Sequence, residues 1–497
     1  MFTLSASTLR PLFKAEQVRE LDRRTIAGGI EGFALMQRAA SSAWHSFRAR
    51  WPQARSVTVV CGGGNNGGDG HVLAALAIQS GLKVQRISLK PLATLKGDAV
   101  RAAELATSAG VGCEEWHAEC VFTGDVIVDA MLGTGLRDEV TGPARQAIGA
   151  INAARQPVLA IDIPSGLAAD TGAVLGEAVQ ADGTVTFIGD KIGLHTGDAP
   201  DYTGEIDFRP LGIKAQAFFD IPPFAWRLDE TWLTEAFPPR SRTSHKGDMG
   251  HVLVLGGAPG FGGAALLASQ AAARLGAGKV SLATAPEHIT ASLVRCPEVM
   301  AHGVRGGADL DELPQKADVL VVGPGTGQAA WGQAVLQHAL TSTAPLVVDA
   351  DALNLLASHW PNERRDNWIL TPHPGEAARL LGCSTAEVQK DRPAAARALQ
   401  QARGGVVILK GSGSLIAGPG GLAVCPYGNP GMASGGMGDA LSGMLGALVA
   451  ERGEVEQSAW LGTLVHALAA DRASKGAGER GLLASDLASY ARELINP

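Results

Sequence analysis

Short β-branched apolar runs punctuate the whole chain, and most close on a glycine-rich or acidic turn that leads into an Ala/Leu-rich stretch. In the first half the runs are Val57–Val60, Val84–Leu89, Val126–Ala130, Val158–Ile163 and Thr184–Ile188, with helical patterns at Gly70–Gln79 and Asp98–Ser108. In the second they are Val252–Leu255, Val280–Ala283, Val319–Val322, Leu346–Val348, Trp368–Leu370 and Val406–Leu409, followed by a helix-rich tail from Gly438 to Asn496. Strands without polar alternation are buried on both faces, which calls for a parallel sheet with helices on either side. The expected fold class is therefore α/β. Two Pro-rich breaks, Asp220-Ile-Pro-Pro-Phe224 and Phe237-Pro-Pro-Arg-Ser-Arg-Thr243, interrupt the periodicity. They place a boundary near residue 225 and predict two domains, 1–225 and 226–497, with no internal repeat at residue level.

Composition narrows the function. The 64 glycines are roughly twice the usual share. With 46% hydrophobic residues the chain can bury large cores, so the excess glycine reads as tight backbone sites rather than disorder. A net charge of -7 with 18% charged residues shows no basic face and excludes nucleic-acid binding as a main role. The six cysteines form no C-x-x-C pair and no metal-ligand spacing, which predicts reduced core or loop residues rather than disulfide partners or metal ligands. Met1 to Arg24 lacks an apolar core followed by a cleavage site, and no run reaches the roughly 18 apolar residues a membrane span needs. The expectation is a soluble cytoplasmic protein with no membrane partner.

The strand ends carry the chemistry. In the first half, Cys61-Gly-Gly-Gly-Asn-Asn-Gly-Gly-Asp-Gly70 opens a helix where α/β proteins place phosphate-bearing ligands. It is not the dinucleotide G-x-G-x-x-G fingerprint. Val128-Asp-Ala-Met-Leu-Gly-Thr-Gly-Leu136 and Ile161-Asp-Ile-Pro-Ser-Gly-Leu167 end neighbouring strands and supply Asp129, Asp162 and Ser165. Asn66, Asp129 and Ser165 can meet as oxygen ligands for a hard cation. Each taken alone also suits a turn or a cap.

These motifs, with Gly189-Asp-Lys-Ile-Gly-Leu194, resemble the YjeF N-terminal domain, the NAD(P)H-hydrate epimerase family, over most of residues 1–225. The resemblance implies a Rossmann-like three-layer sandwich. It implies that Asn65, Asn66, Gly67, Gly68 and Asp69, with Gly133, Thr134, Gly135, Leu136, Arg137, Asp138, Glu139 and Asp162, hold the hydrated nicotinamide nucleotide. It further implies that Asn66, Asp129 and Ser165 bind K⁺. Inverting the hydrated ring carbon needs acid–base help, and Asp162 is the candidate, with a plain ribose or amide contact as the alternative.

In the second half, Gly435-Gly-Met-Gly-Asp439 runs into a helix and offers unpaired N–H groups and the positive helix end to an anion. A carboxylate there, Asp439, would repel phosphate unless it had another task. It either takes the proton of a substrate hydroxyl during phosphoryl transfer or caps the helix. Lys410-Gly-Ser-Gly-Ser414 offers a cation, N–H groups and hydroxyls to a nucleotide, without being a Walker A loop. His373, in Thr371-Pro-His-Pro-Gly-Glu376, is read as a ligand contact. Asp349 and Asp351 either orient water or Mg²⁺ or cap their turn.

These turns, with Ser244-His-Lys-Gly247, Gly323-Pro-Gly-Thr-Gly327, Asn429-Pro-Gly431 and Glu479-Arg-Gly-Leu-Leu-Ala-Ser-Asp486, resemble the YjeF C-terminal domain, the NAD(P)H-hydrate dehydratase family of the ribokinase-like superfamily. The resemblance implies that Ala264, Gly325, His373 and Asp439 contact the hydrated nucleotide. Lys410, Gly411, Ser412, Gly413, Ser414 and Gly438 would contact ADP, which enters with Mg²⁺ as a co-substrate. The expected protein is a bifunctional repair enzyme that epimerises R and S hydrates of NADH and NADPH (NADHX and NADPHX). It dehydrates the S form with ADP, releasing AMP and phosphate. The alternative is a vitamin-precursor kinase whose first half only binds. A homo-oligomer is one outcome the resemblance leaves open.

Overall fold

A computed structural model describes residues 9–496, apart from 312 and 314–316, so the first eight residues of the N-terminal reading lie outside the described residues. Its described residues form two compact units, Pro11–Ala225 and residues 226–496 together with 9–10. No described helix is long and apolar enough to cross a membrane.

The first unit is built on a seven-stranded parallel sheet ordered Glu114–Glu115, Lys83–Ser88, Ser56–Cys61, Val126–Ala130, Val158–Ile161, Gly183–Phe187, Glu205–Arg209. Direction of travel reverses between Ser56–Cys61 and Val126–Ala130, so a crevice opens at their carboxyl ends. Helices Gly32–Arg50 and Asn65–Gln79 pack their apolar faces on the sheet through Ala40, Ala43, Phe47, Val72 and Leu73, all at most 2% exposed. The sequence pattern places the helix at Gly70–Gln79, after the glycine-rich segment that follows Cys61. Instead the helix begins at Asn65, so Asn65–Asp69 are its first turns. Glycine permits this: a Cβ on Gly67 would lie 1.9 Å from Gly62 O.

In the second unit, parallel strands run in the order Met300–Gly303, Lys279–Thr284, His251–Leu255, Val319–Val322, Leu346–Val348, Trp368–Leu370, Val406–Leu409. An antiparallel hairpin, Ser414–Gly418 and Gly421–Cys425, extends the sheet, and Ala225–Arg227 pairs parallel to its outer strand. Helix Met437–Arg452 is apolar on every side because it is enclosed, with Met437, Leu441, Met444, Leu445 and Leu448 all buried. Its glycines let it sink. A Cβ on Gly443 would lie 1.9 Å from Ala268 O on helix Gly262–Arg274, and one on Gly446 would lie 2.6 Å from Val321 Cγ2 on the sheet. That depth sets the position of the helix's first turn, which carries Asp439.

Candidate active sites

In the first unit a cavity of about 880 Å³ lies at the sheet's reversal point, within the size range of small-molecule sites. Asn65, Asn66, Asp69, Gly133, Thr134, Gly135, Leu136 and Asp162 line it. Other expected residues lie outside that lining: Gly67 and Gly68 turn toward Gly62 and Met36, and Arg137, Asp138 and Glu139 are exposed.

Asp162 ends strand Val158–Ile161 with φ 68°, a left-handed conformation that non-glycine residues seldom adopt. Its N–H donates to Val185 O at 2.7 Å, and its carboxylate pairs with Lys191 Nζ. Lys191 is fully buried and also donates to Thr186 Oγ1 at 2.8 Å and Phe187 O at 3.1 Å, which uses all three ammonium protons. Two further carboxyls face the same cavity. Burial, then the charge on Asp162, pushes Asp22 up to about 6. The same causes, with Asp22 added, hold Asp69 well above its ordinary value. Neither Asp22 nor the role of Lys191 was visible in the sequence. Asp22 lies among alternating Glu and Arg on helix Ala15–Ala27, where it resembles any solvated face.

Behind the cavity wall, Asp129 is fully buried and accepts Ser165 Oγ at 2.6 Å, Ser165 N at 2.7 Å and Met131 N at 3.1 Å. Burial raises it to about 6 despite these bonds, and no ion pair reaches it among the described residues. The Asn66 side chain is buried with neither polar atom partnered. A buried carboxylate with no ion pair and a buried amide with no partner are donors whose chemistry fits a cation.

In the second unit the strand-end motifs converge. Lys410 Nζ lies 2.7 Å from Asp349 Oδ1 and 3.9 Å from Glu376 Oε2. Ser442 Oγ donates to Asp349 Oδ2 at 2.8 Å. A Cβ on Gly438 would sit 3.2 Å from Lys410 Nζ and 3.3 Å from Asp349 Oδ2, so three motifs meet in close contact here. Burial alone would raise Asp349, but Lys410, Thr371 and Ser442 hold it below its ordinary range. Burial pushes Glu376 and Asp439 each up to about 7, the latter helped by the charge on Asp349. At neutral pH, Asp439 is thus poised to exchange a proton.

The cap of helix Met437–Arg452 is Gly436, with φ 93° and no side-chain cap bond, so Asp439 occupies the first turn and is not the cap. The first backbone bond is Ala440 N to Gly436 O at 3.0 Å, which leaves the preceding N–H groups directed outward. Buried His466, held neutral by a pKa lowered to about 4 through burial, braces the turn by donating to Met437 O at 2.9 Å. Arg392 braces the Lys410–Ser414 loop from below, donating to Leu409 O and Lys410 O. Nothing in the motif pattern marked either residue.

His373 caps helix Pro374–Leu381, with Nδ1 accepting from Gly375 N at 3.0 Å and Nε2 lying 3.3 Å from Glu376 Oε1. Asp351 accepts Gly327 N at 3.1 Å and Gln328 Nε2 at 3.0 Å, a turn-holding duty. Ala264 and Gly325 adjoin: a Cβ on Gly325 would lie 3.2 Å from Ala264 Cβ and 2.4 Å from Phe261 O. Ser414 Oγ donates to Gly411 O at 3.0 Å, closing the loop that carries Gly411, Ser412 and Gly413.

Two α/β units, each gathering ionisable strand-end residues at one edge of its parallel sheet, define a two-domain α/β class with one candidate site per unit. Residues 252–493 match the NAD(P)H-hydrate dehydratase family and residues 32–193 match the YjeF-related protein N-terminus family. The chain is 48% identical to the bifunctional NAD(P)H-hydrate repair enzyme of Coxiella burnetii, over 98% of this chain and 99% of that protein. It is 43% identical to the Escherichia coli enzyme of the same name, over 94% of this chain and 90% of that protein. A ribokinase-like superfamily protein from Enterococcus faecalis aligns in structure with a TM-score of 0.50 and 27% identity, covering 54% of this chain and 95% of that one. The chain belongs to the bifunctional NAD(P)H-hydrate repair enzymes.

Proposed function

We propose that this chain repairs hydrated NAD(P)H in two steps, epimerising the R and S hydrates in the first unit and dehydrating the S hydrate with ADP in the second. The observation that carries the dehydratase half is the meeting of Lys410, Asp349, Gly438 and Asp439, with Asp439 raised to about 7 at the mouth of the nest. Asp439 takes the proton of the 6-hydroxyl as that oxygen attacks the terminal phosphorus of ADP, and the bond to the AMP oxygen breaks. The N–H groups ahead of Ala440 and the Lys410 ammonium stabilise charge on the transferring group. The ring-nitrogen lone pair then expels phosphate from C6, and loss of the C5 proton restores the double bond. ADP enters as its Mg²⁺ complex, the ion held chiefly by phosphate oxygens. Asp349 is already committed to Lys410 and Ser442, and Asp351 to its turn, so both serve as positioning residues.

In the first unit, Asp162 serves as base for the 6-hydroxyl. Removing that proton lets the C6–N1 bond open to an aldehyde, and closure on the opposite face inverts the carbon. Asp69, raised well above its ordinary value by burial, supplies and recovers the proton at nitrogen, and Asp22, raised to about 6, exchanges protons with it across the same cavity. Asn66, Asp129 and Ser165 would hold K⁺. One full charge among neutral oxygens suits a monovalent ion, which supplies charge compensation and keeps the two glycine turns in register.

Incubating the purified chain with S hydrate and ADP tests the dehydratase. The expected result is one AMP and one phosphate per reduced ring recovered. A stable phosphorylated product would assign the nest to a kinase instead.

A further inference from the structure

The geometry points to a zinc-class metal site outside both catalytic centres, formed by Glu114 of the edge strand Glu114–Glu115 and by His117 and Cys120 on the loop after it. The carboxylate oxygen, ring nitrogen and thiol sulfur all lie within 4.8 Å of one another, and among the described residues no other such group of three occurs. The convergence is already drawn in hydrogen bonds: His117 Nε2 lies 3.2 Å from Glu114 Oε1, and Cys120 Sγ donates to the same oxygen at 3.5 Å. The loop backbone enforces it, because His117 N donates to Cys120 Sγ at 3.4 Å and Cys120 N to His117 O at 3.0 Å.

The donor set selects the ion. One sulfur, one imidazole and one carboxylate match a borderline cation that accepts tetrahedral geometry, and they disfavour Mg²⁺ or Ca²⁺, which take oxygen alone. Three protein ligands leave a fourth position. The side chains of His117 and Glu114 remain 56% and 43% exposed, so water completes the shell and the ion exchanges freely. Trp116, stacked on Phe122 with ring centroids 6.2 Å apart, anchors the loop, and its backbone N–H donates to Ser88 O at 2.9 Å. Ser88 Oγ in turn donates at 2.7 Å to the carbonyl of Lys90, which lines the substrate cavity. The site therefore sits behind that wall and takes no part in the chemistry.

Titrating the untagged full chain with Co²⁺ tests the assignment through the sulfur-to-cobalt charge-transfer absorption, with Zn²⁺ competition giving affinity. One equivalent of thiolate-bound Co²⁺ is expected, displaced by Zn²⁺ and unchanged in Cys113→Ser. Cys120→Ser should abolish the absorption. His117→Ala should weaken Zn²⁺ by at least about tenfold, the lower end of what losing even a supporting partner costs a metal site. Both variants lie on an exposed loop, and unchanged circular dichroism confirms their folding. Absence of the band in the parent chain, its survival in Cys120→Ser, or its loss in Cys113→Ser overturns the site.

Discussion

Replacing Asp439 by Asn should damage activity and improve stability at once, because the carboxylate is held where its charge is unwelcome. Burial and the nearby Asp349 raise it from 3.8 to about 7. At about 1.36 kcal/mol per pH unit that rise amounts to about 4 kcal/mol at most, and about 2 kcal/mol once partial exposure to water is allowed for. The folded state binds the proton more tightly than the unfolded chain, so its stability falls as pH rises through the window from 3.8 to about 7. Asn carries no such penalty. The stability difference between variant and parent should therefore grow from pH 4 to 7 and level off above it, as read by urea denaturation of the second unit. Dehydration by the same variant should drop by about 10² to 10⁴ through loss of the general base, with epimerisation intact. In the parent chain, dehydration should fall about tenfold for each pH unit below 7 as Asp439 takes up its proton. Near-parental dehydration, or a stability difference that does not change with pH, would refute the assignment of Asp439 as a buried base.

Three other outcomes follow from the first unit and the boundary. Asp129→Asn should slow R/S interconversion and remove any advantage of K⁺ over Na⁺, leaving dehydration of the S hydrate untouched; equal epimerase rates in both ions for the parent chain would leave Asn66, Asp129 and Ser165 as turn formers. Asp22→Asn should slow epimerisation by about tenfold or more and shift its acid limb, if Asp22 shares proton transfer with Asp162; an unchanged pH profile assigns it to packing. Separate expression of 1–225 and 226–497 should give an epimerase and a dehydratase respectively, since each compact unit carries its own strand-end residues; a first fragment that is folded but inactive would show that it depends on the second.

The central strands were legible because burial on both faces leaves uninterrupted apolar runs, such as Val319–Val322 and Val406–Leu409. Elements at the margins were not. Glu205–Arg209 is half-exposed and polar, Glu114–Glu115 is two residues long, and the Ser414–Gly418 and Gly421–Cys425 hairpin hides behind its glycine turn. Helix starts were blurred because glycine weakens the helical signal where close packing demands it, as at Asn65–Gly68. Strand-end residues were readable since the topology gathers them on one edge. Asp22, Lys191, Arg392 and His466 reach their sites from helices or an edge strand by tertiary approach, which no local spacing records.

The account stands most directly on one time course. The purified chain is given a mixture of R and S hydrates with ADP, Mg²⁺ and K⁺, and absorbance of the reduced ring is followed to completion. Full recovery is predicted, in a fast phase for the S fraction and a slower one limited by epimerisation, with Asp439→Asn slowing recovery by about 10² to 10⁴. Recovery that stops at the S fraction would contradict the epimerase half, and no recovery would contradict the dehydratase.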